Sequence, residues 1–153
     1  MRKRSIGKWI LAVSILGCGA MVSPADDSND KLTGLPVHSG MSFTQEVDSP
    51  ICGRKAKINL YIVPFDFKSN TAPAMADYVT WYKAQLKGFH YFHKSWDDRP
   101  QELFYSADGT KGVTLTGVPK GDALFAVSYA SISPGLTAHE MEAFNPQTNR
   151  SCK

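Results

Sequence analysis

The sequence predicts an α+β fold: a mostly antiparallel sheet of about five strands, one main helix packed on one face, and a short C-terminal helix. Three observations predict it. Several short segments alternate apolar and polar residues with period two. One segment carries apolar residues at spacings of three and four. Turn-forming clusters rich in Asp, Gly and Pro separate them.

Taken in order, Ser42–Val47 is a weak strand candidate and Lys57–Val63 a strong one. In the latter Ile58, Leu60 and Ile62 share a face and Pro64 ends the run. The two are expected to pair as a hairpin across the loop that holds Cys52. A helix follows, with Asn70 or Thr71 as its cap, Pro73 in its first turn and Gly88 as its left-handed stop. Met75, Tyr78, Val79, Tyr82 and Leu86 form its apolar stripe, a pattern that belongs to a core face.

Phe89–Ser95 reads as a strand ending at Asp97-Asp98-Arg99-Pro100. Glu102–Ser106 and Gly112–Val118 are joined by Ala107-Asp108-Gly109-Thr110, a hairpin signal. After the turn at Pro119–Asp122 comes Ala123–Ile132, with Phe125, Val127 and Tyr129 on one face and Leu124, Ala126, Ser128 and Ala130 on the other. A three-stranded meander is expected. Thr137 and Glu140 have the spacing of a capping box at the start of a helix over Ala138–Phe144.

The N-terminus has the layout of a secretory signal peptide. Arg2, Lys3, Arg4 and Lys8 precede an apolar run of about fourteen residues from Trp9 to Val22. That run is short of the roughly twenty residues a membrane span needs. Ile15-Leu16-Gly17-Cys18 resembles the lipobox of bacterial lipoproteins. The resemblance implies that Cys18 is acylated, becomes the first residue of the mature chain and carries a palmitate-type membrane anchor. Gly19, where Asp would imply inner-membrane retention, implies the outer membrane. The competing route is signal-peptidase cleavage after Ala20 or Ala25, giving a soluble periplasmic or secreted protein. The expected organisation is a signal over residues 1–17, a flexible tether over 18–40 and a single α+β domain over 41–153.

Export changes the charge balance. Four of the 17 Lys and Arg precede Cys18 and none of the 14 Asp and Glu does, so 13 cations face 14 acids in the remainder. A near-neutral domain carries no electrostatic footprint for nucleic acid. With Cys18 acylated or removed, Cys52 and Cys152 remain, and an even count in an exported chain predicts a disulfide.

Chemistry-bearing motifs are few. His90 and His93 fall on opposite faces of a strand, and His139-Glu140 are adjacent on a short helix, so no metal site is expected. There is no nucleophile elbow, phosphate loop or dinucleotide fingerprint, and no cofactor is expected. Asp97, Asp98 and Glu102 are a cluster of carboxylates at one turn, read as solvated turn formers.

Aromatic density is the unusual feature, and Trp81, Phe92 and Trp96 are the candidate ligand face, set against a two-sided core with the tail packed across the second face. The functional expectation is an exported, non-catalytic binding or structural module whose partner is an envelope protein or a cell-wall ligand. A small secreted or periplasmic hydrolase and a periplasmic inhibitor or immunity-type protein are the alternatives.

Overall fold

The protein is described by a computed structural model over residues 29–63, 74–96, 99–117, 125–145 and 152. Cys18, the signal segment, the expected helix caps Asn70 and Thr71, and the Asp97-Asp98 turn lie outside these residues.

Six strands form one antiparallel sheet: β1 (Ser42–Asp48), β2 (Lys55–Val63), β3 (His90–Trp96), β4 (Arg99–Tyr105), β5 (Lys111–Gly117) and β6 (Phe125–Ser133). Their spatial order is β1-β2-β6-β5-β4-β3. The count exceeds the expected five, and the meander after the helix has four strands rather than three, because β3 pairs with β4 along its whole length. Helix α1 (Met75–Gln85) connects β2 to β3, and α2 (Ala138–Ala143) follows β6.

The β1–β2 hairpin turns on two residues. Ile51 and Arg54 exchange both backbone hydrogen bonds at 3.0 and 2.9 Å, with Cys52 and Gly53 between them at φ 51° and 73°. Two positive φ values in a row match the right-handed twist of the flanking strands. The meander closes back on the hairpin where β6 pairs with β2, Lys55 opposite Ser133 through Val63 opposite Phe125.

Both faces of the sheet are covered, so the strands carry apolar residues on both sides. On the helix face, Tyr61, Val63, Phe104, Val113, Leu115 and Val127 meet the α1 stripe of Tyr78, Val79, Tyr82 and Leu86. Leu86 closes α1 by donating its N–H to the Tyr82 carbonyl, and Gly88 turns the chain at φ 84°. On the opposite face, here the tail face, Ile58, Leu103, Tyr105, Ala130 and Ile132 meet Leu136, Met141 and Phe144. Ile62, aligned with Ile58 and Leu60, is 36% exposed while Tyr61 beside it is buried in the helix-face core; among the described residues Ile62 belongs to neither core cluster.

Residues 29–40 fall within the stretch expected to be tether, yet they are part of the core. Leu35 and Val37 are buried on the helix face together with Met41. Asp30 is 1% exposed. Its Oδ2 accepts from the Thr33 backbone N–H (2.8 Å) and hydroxyl (2.7 Å), and its Oδ1 from Asn59 Nδ2 (2.7 Å) and the Tyr61 hydroxyl (2.9 Å). The folded body therefore begins by Asp30 rather than at Met41.

The helix face is rich in phenols. Tyr82 and Tyr129 hydrogen-bond each other, and Tyr129 donates to the Pro36 carbonyl at 2.8 Å. Burial pushes the Tyr61, Tyr82 and Tyr129 phenols up, as it does Tyr105 on the tail face. In the unfolded chain the same groups ionise near pH 10. Their folded-state values are raised, so their contribution is complete below pH ~10 and is lost as pH rises above it. The urea midpoint should therefore hold steady up to pH ~9 and fall steeply above pH ~10, in step with tyrosinate absorbance appearing only on unfolding.

Candidate functional site: a trough on the tail face

The strand registers place side chains of the tail face in rows. One row runs Tyr105, Gly112, Ala130, Ile58 and Val47 across β4, β5, β6, β2 and β1. The next runs Leu103, Thr114, Ser128 and Leu60. In both rows the middle of the sheet, on β5 and β6, carries small side chains and the flanks carry large ones. A trough results. Gly112 has no Cβ to hold the Tyr105 ring away: one built there would stand 2.8 Å from a ring carbon.

Phe144 and Ile51 close one end of the trough, and Gln101 with Thr116 opposite it on β5 lies at the other. The trough holds about 290 Å³ and is open on one side. Its interior is dry-walled, with Gln101 at 0% and Tyr105 at 1% exposure, while Val47, Leu60, Thr116 and Ser128 form a half-exposed rim. Among the described residues no Lys, Arg, Asp, Glu or His lines it.

Three polar atoms in this buried wall have no hydrogen-bond partner: Gln101 Oε1, Gln101 Nε2 and the Tyr105 hydroxyl. Leaving a buried polar atom unpaired costs about 1–3 kcal/mol, so these atoms weaken the wall, and with Gln101 and Tyr105 at most 1% exposed they lie beneath the trough's surface.

The roof over the trough is fixed at three points. Cys52 in the hairpin turn is bonded to Cys152, with their Cα atoms 5.3 Å apart. Arg54 Nη2 donates to both carboxylate oxygens of Glu140, at 2.9 and 2.8 Å. Lys94 on β3 donates to the carbonyls of Glu142 and Phe144, the C-terminal end of α2. Burial lowers the Lys94 ammonium from its usual range, with Glu142 acting against that shift. The Thr137–Glu140 capping box is present, and its hydrogen bonds together with Arg54 hold the Glu140 carboxyl below its usual value.

The residues singled out as one ligand face do not meet. Trp81 projects from α1 on the helix face, edge-on to Tyr82 at 4.9 Å and to His38 at 5.1 Å. Phe92 lies on the tail face, half-buried against Tyr105 at 6.5 Å between ring centroids. The sheet separates them. The backbone of Trp96 ends β3, and its side chain lies outside the described atoms.

Glu102 is not a solvated turn residue. It is 8% exposed within β4, and accepts from the Tyr91 hydroxyl at 2.6 Å and pairs with His93 Nδ1 at 2.8 Å. Burial and the Glu102 carboxylate push the Tyr91 phenol up to about 12. Lys83 sits 3.9 Å above the Tyr91 ring. His90 points to the other face, as the period of two requires. Among the described residues no group of three or more His, Cys, Asp or Glu side chains is placed to hold a metal ion, and no helix is long and apolar enough to cross a membrane.

A larger, more open groove of about 560 Å³ runs beside Asp48, Lys55, Lys57, Ser131 and Ser133. Of its charges Lys57 is solvated, 3.5 Å from Glu46 with both side chains at least half exposed, whereas Arg54, which also lines it, is 23% exposed and paired with Glu140. The trough is the more sheltered of the two, set between the large side chains of Ile58, Leu60, Tyr105 and Phe144. No family model, no curated protein and no solved structure matches the chain.

Proposed function

We propose that the protein is an exported, non-catalytic binding module that takes a small ligand into the tail-face trough and is tethered to the outer membrane through an acylated Cys18. The observation that carries the binding role is the trough of about 290 Å³, floored by the small residues Gly112, Ser128 and Ala130 and flanked by Ile58, Leu60 and Phe144. That volume lies just below the usual range of ligand pockets, roughly 300–1,000 Å³. The export role is supported by the basic and apolar N-terminal layout, the lipobox resemblance and the Cys52–Cys152 bridge, which suits an oxidising compartment. An envelope protein or cell-wall component is the partner class that follows.

The test uses protein extracted from envelopes without denaturation, with small molecules then released and identified by mass spectrometry. Ser128→Phe plugs the trough from its rim. A molecule released from the natural chain and absent from the Ser128→Phe variant supports the proposal, and equal release from both overturns it. For the anchor, Cys18→Ser should abolish incorporation of a labelled acyl chain, and unchanged labelling overturns that part.

A small hydrolase is the second reading, favoured by one observation: Glu102 orients the His93 imidazole, the pairing a general base needs. The His93 side chain is 59% exposed on an edge strand, however, where water weakens the electrostatics such a site relies on.

A further inference from the structure

We infer that a groove between α1 and the 29–37 segment is a second ligand site, on the helix face and so independent of the trough, and that it takes a sugar ring. The groove holds about 320 Å³ and is lined, among the described residues, by Asn29, Pro36, Val37, Trp81 and Gln85. That volume falls within the range of small-molecule sites, roughly 300–1,000 Å³. Asn29 and Gln85 are exposed and Trp81 is half-buried, so the groups that would recognise a ligand can be reached from solution.

Both walls are held in place before anything binds. Trp81 and Gln85 stand four apart on α1, which puts them on one side of the helix. The indole meets the Tyr82 ring edge-on at 4.9 Å and the His38 ring edge-on at 5.1 Å. His38 Nδ1 in turn accepts the Gly40 N–H at 3.0 Å. The other wall is a tight loop. Asn29 bridges to Pro36, the Asp30 N–H donates to the Leu35 carbonyl at 2.7 Å, and the Asp30 carboxylate ties the loop to Asn59 and Tyr61 on β2. Tyr129 donates to the Pro36 carbonyl from below. A wall fixed in this way loses little freedom when a ligand arrives.

An indole beside two carboxamides is the chemical complement of a pyranose. The C–H face of a sugar ring is apolar and suits an aromatic surface, while its rim carries adjacent hydroxyls that each donate and accept. A carboxamide presents a carbonyl acceptor and N–H donors side by side, so it can engage two adjacent hydroxyls at once. Among the described residues the Asn29 and Gln85 amides and the Trp81 indole N–H make no hydrogen bond, which leaves their full capacity to a ligand. Pro36 and Val37 add an apolar border. An apolar ring of the same size would take the amides out of water without bonding them.

The inference is tested by titrating the processed chain with methyl glucoside, cellobiose, diacetylchitobiose and cyclohexanol. NMR follows the Trp81 indole N–H and the Asn29 and Gln85 side-chain amides. Saturable shifts of all three groups with at least one saccharide are expected, with Kd raised about tenfold in Gln85→Ala through the lost hydrogen bonds. Gln85 is exposed at the end of α1, so Gln85→Ala should leave the unfolding midpoint unchanged. Binding of methyl glucoside would show that a single sugar suffices. Binding of a disaccharide alone would assign the site to the interior of a glycan chain, and either result supports the inference. It is overturned if no saccharide shifts these groups, if cyclohexanol shifts them as the saccharides do, or if Gln85→Ala leaves Kd unchanged. Ser128→Phe, which tests the trough on the other face, should leave these titrations as they are, so the two readings fail separately.

Discussion

Cys152→Ser should lower the unfolding free energy by about 4 kcal/mol, the largest single loss expected in this chain. The bridge joins residues 100 apart, and closing a loop of that length removes denatured-state entropy worth on the order of 4–5 kcal/mol, less any native strain. Reduction of the natural chain should produce the same loss. Cys52→Ser should match it too, because either substitution removes the same link. The double variant Cys52→Ser/Cys152→Ser should lose no more than the singles, since the two positions act as one unit.

Position 52 carries a second consequence. Cys52 has φ 51°, a left-handed conformation that costs an L residue roughly 1–2 kcal/mol and glycine nothing. Cys52→Gly should therefore be about 1 kcal/mol more stable than Cys52→Ser, although neither can form the bridge. Urea midpoints of the four variants check all of this. Additive losses in the double variant, or no response to reductant, would show that the bridge does not stabilise the chain. The loss also bears on the trough. With the disulfide gone, the roof is held by the packing of Leu136, Met141 and Phe144, and its only polar ties among the described residues that reach the sheet side chains are the partly solvated Arg54–Glu140 pair and the Lys94 contacts. Partly exposed ion pairs contribute little, about 0–1 kcal/mol, so the tail is expected to loosen before the sheet does.

Much of the sheet is legible in the sequence because period-two alternation is a local signal. Lys57–Val63 and the meander after α1 show it, and even the weak Ser42–Val47 segment proves to be a strand. It reads weakly because it is an edge: Phe43 through Glu46 are exposed, and its pairing with β2 supplies the order that its own composition does not. What the sequence leaves hidden depends on partners far along the chain. Leu35, Val37 and Met41 are separated by Pro36 and Gly40 and show no period, so a packed segment looks like a linker.

The trough is half visible. Ala126, Ser128 and Ala130 on one face of β6 announce a strip of small side chains. That Gly112 and Thr114 lie beside it, with Gln101 at its end, follows only from registers fixed by long-range pairing. The aromatic cluster misleads for the same reason. Trp81 and Phe92 are close in sequence, but the β3 strand sends Phe92 through to the face opposite α1.

Asp30→Ala should cost about 3 kcal/mol, and the reason is the number of groups it strands. A single carboxylate takes four hydrogen bonds, from the Thr33 N–H and hydroxyl, Asn59 Nδ2 and the Tyr61 hydroxyl. Asn59 and Tyr61 lie next but one to each other on β2, so Asp30 fastens the 29–41 segment to the middle of the sheet. Hydrogen bonds to a charged group contribute about 1.5–3 kcal/mol, and each buried donor left behind adds a desolvation cost. Tyr61→Phe removes one donor and leaves the carboxylate with three, so it should cost only about 1 kcal/mol. The double variant separates this account from simple loss of packing. Once Asp30 is gone the Tyr61 hydroxyl has no acceptor there, and removing it relieves a buried unpaired group. Asp30→Ala/Tyr61→Phe should therefore be no less stable than Asp30→Ala alone, a coupling of about 1 kcal/mol or more in a double-mutant cycle. Asp30→Asn should fall near Asp30→Ala, because its amide nitrogen would have to face donors. If the double variant instead lost the sum of the two single changes, Tyr61 and Asp30 would not be partners, and the 29–41 segment would be held by its apolar contacts alone.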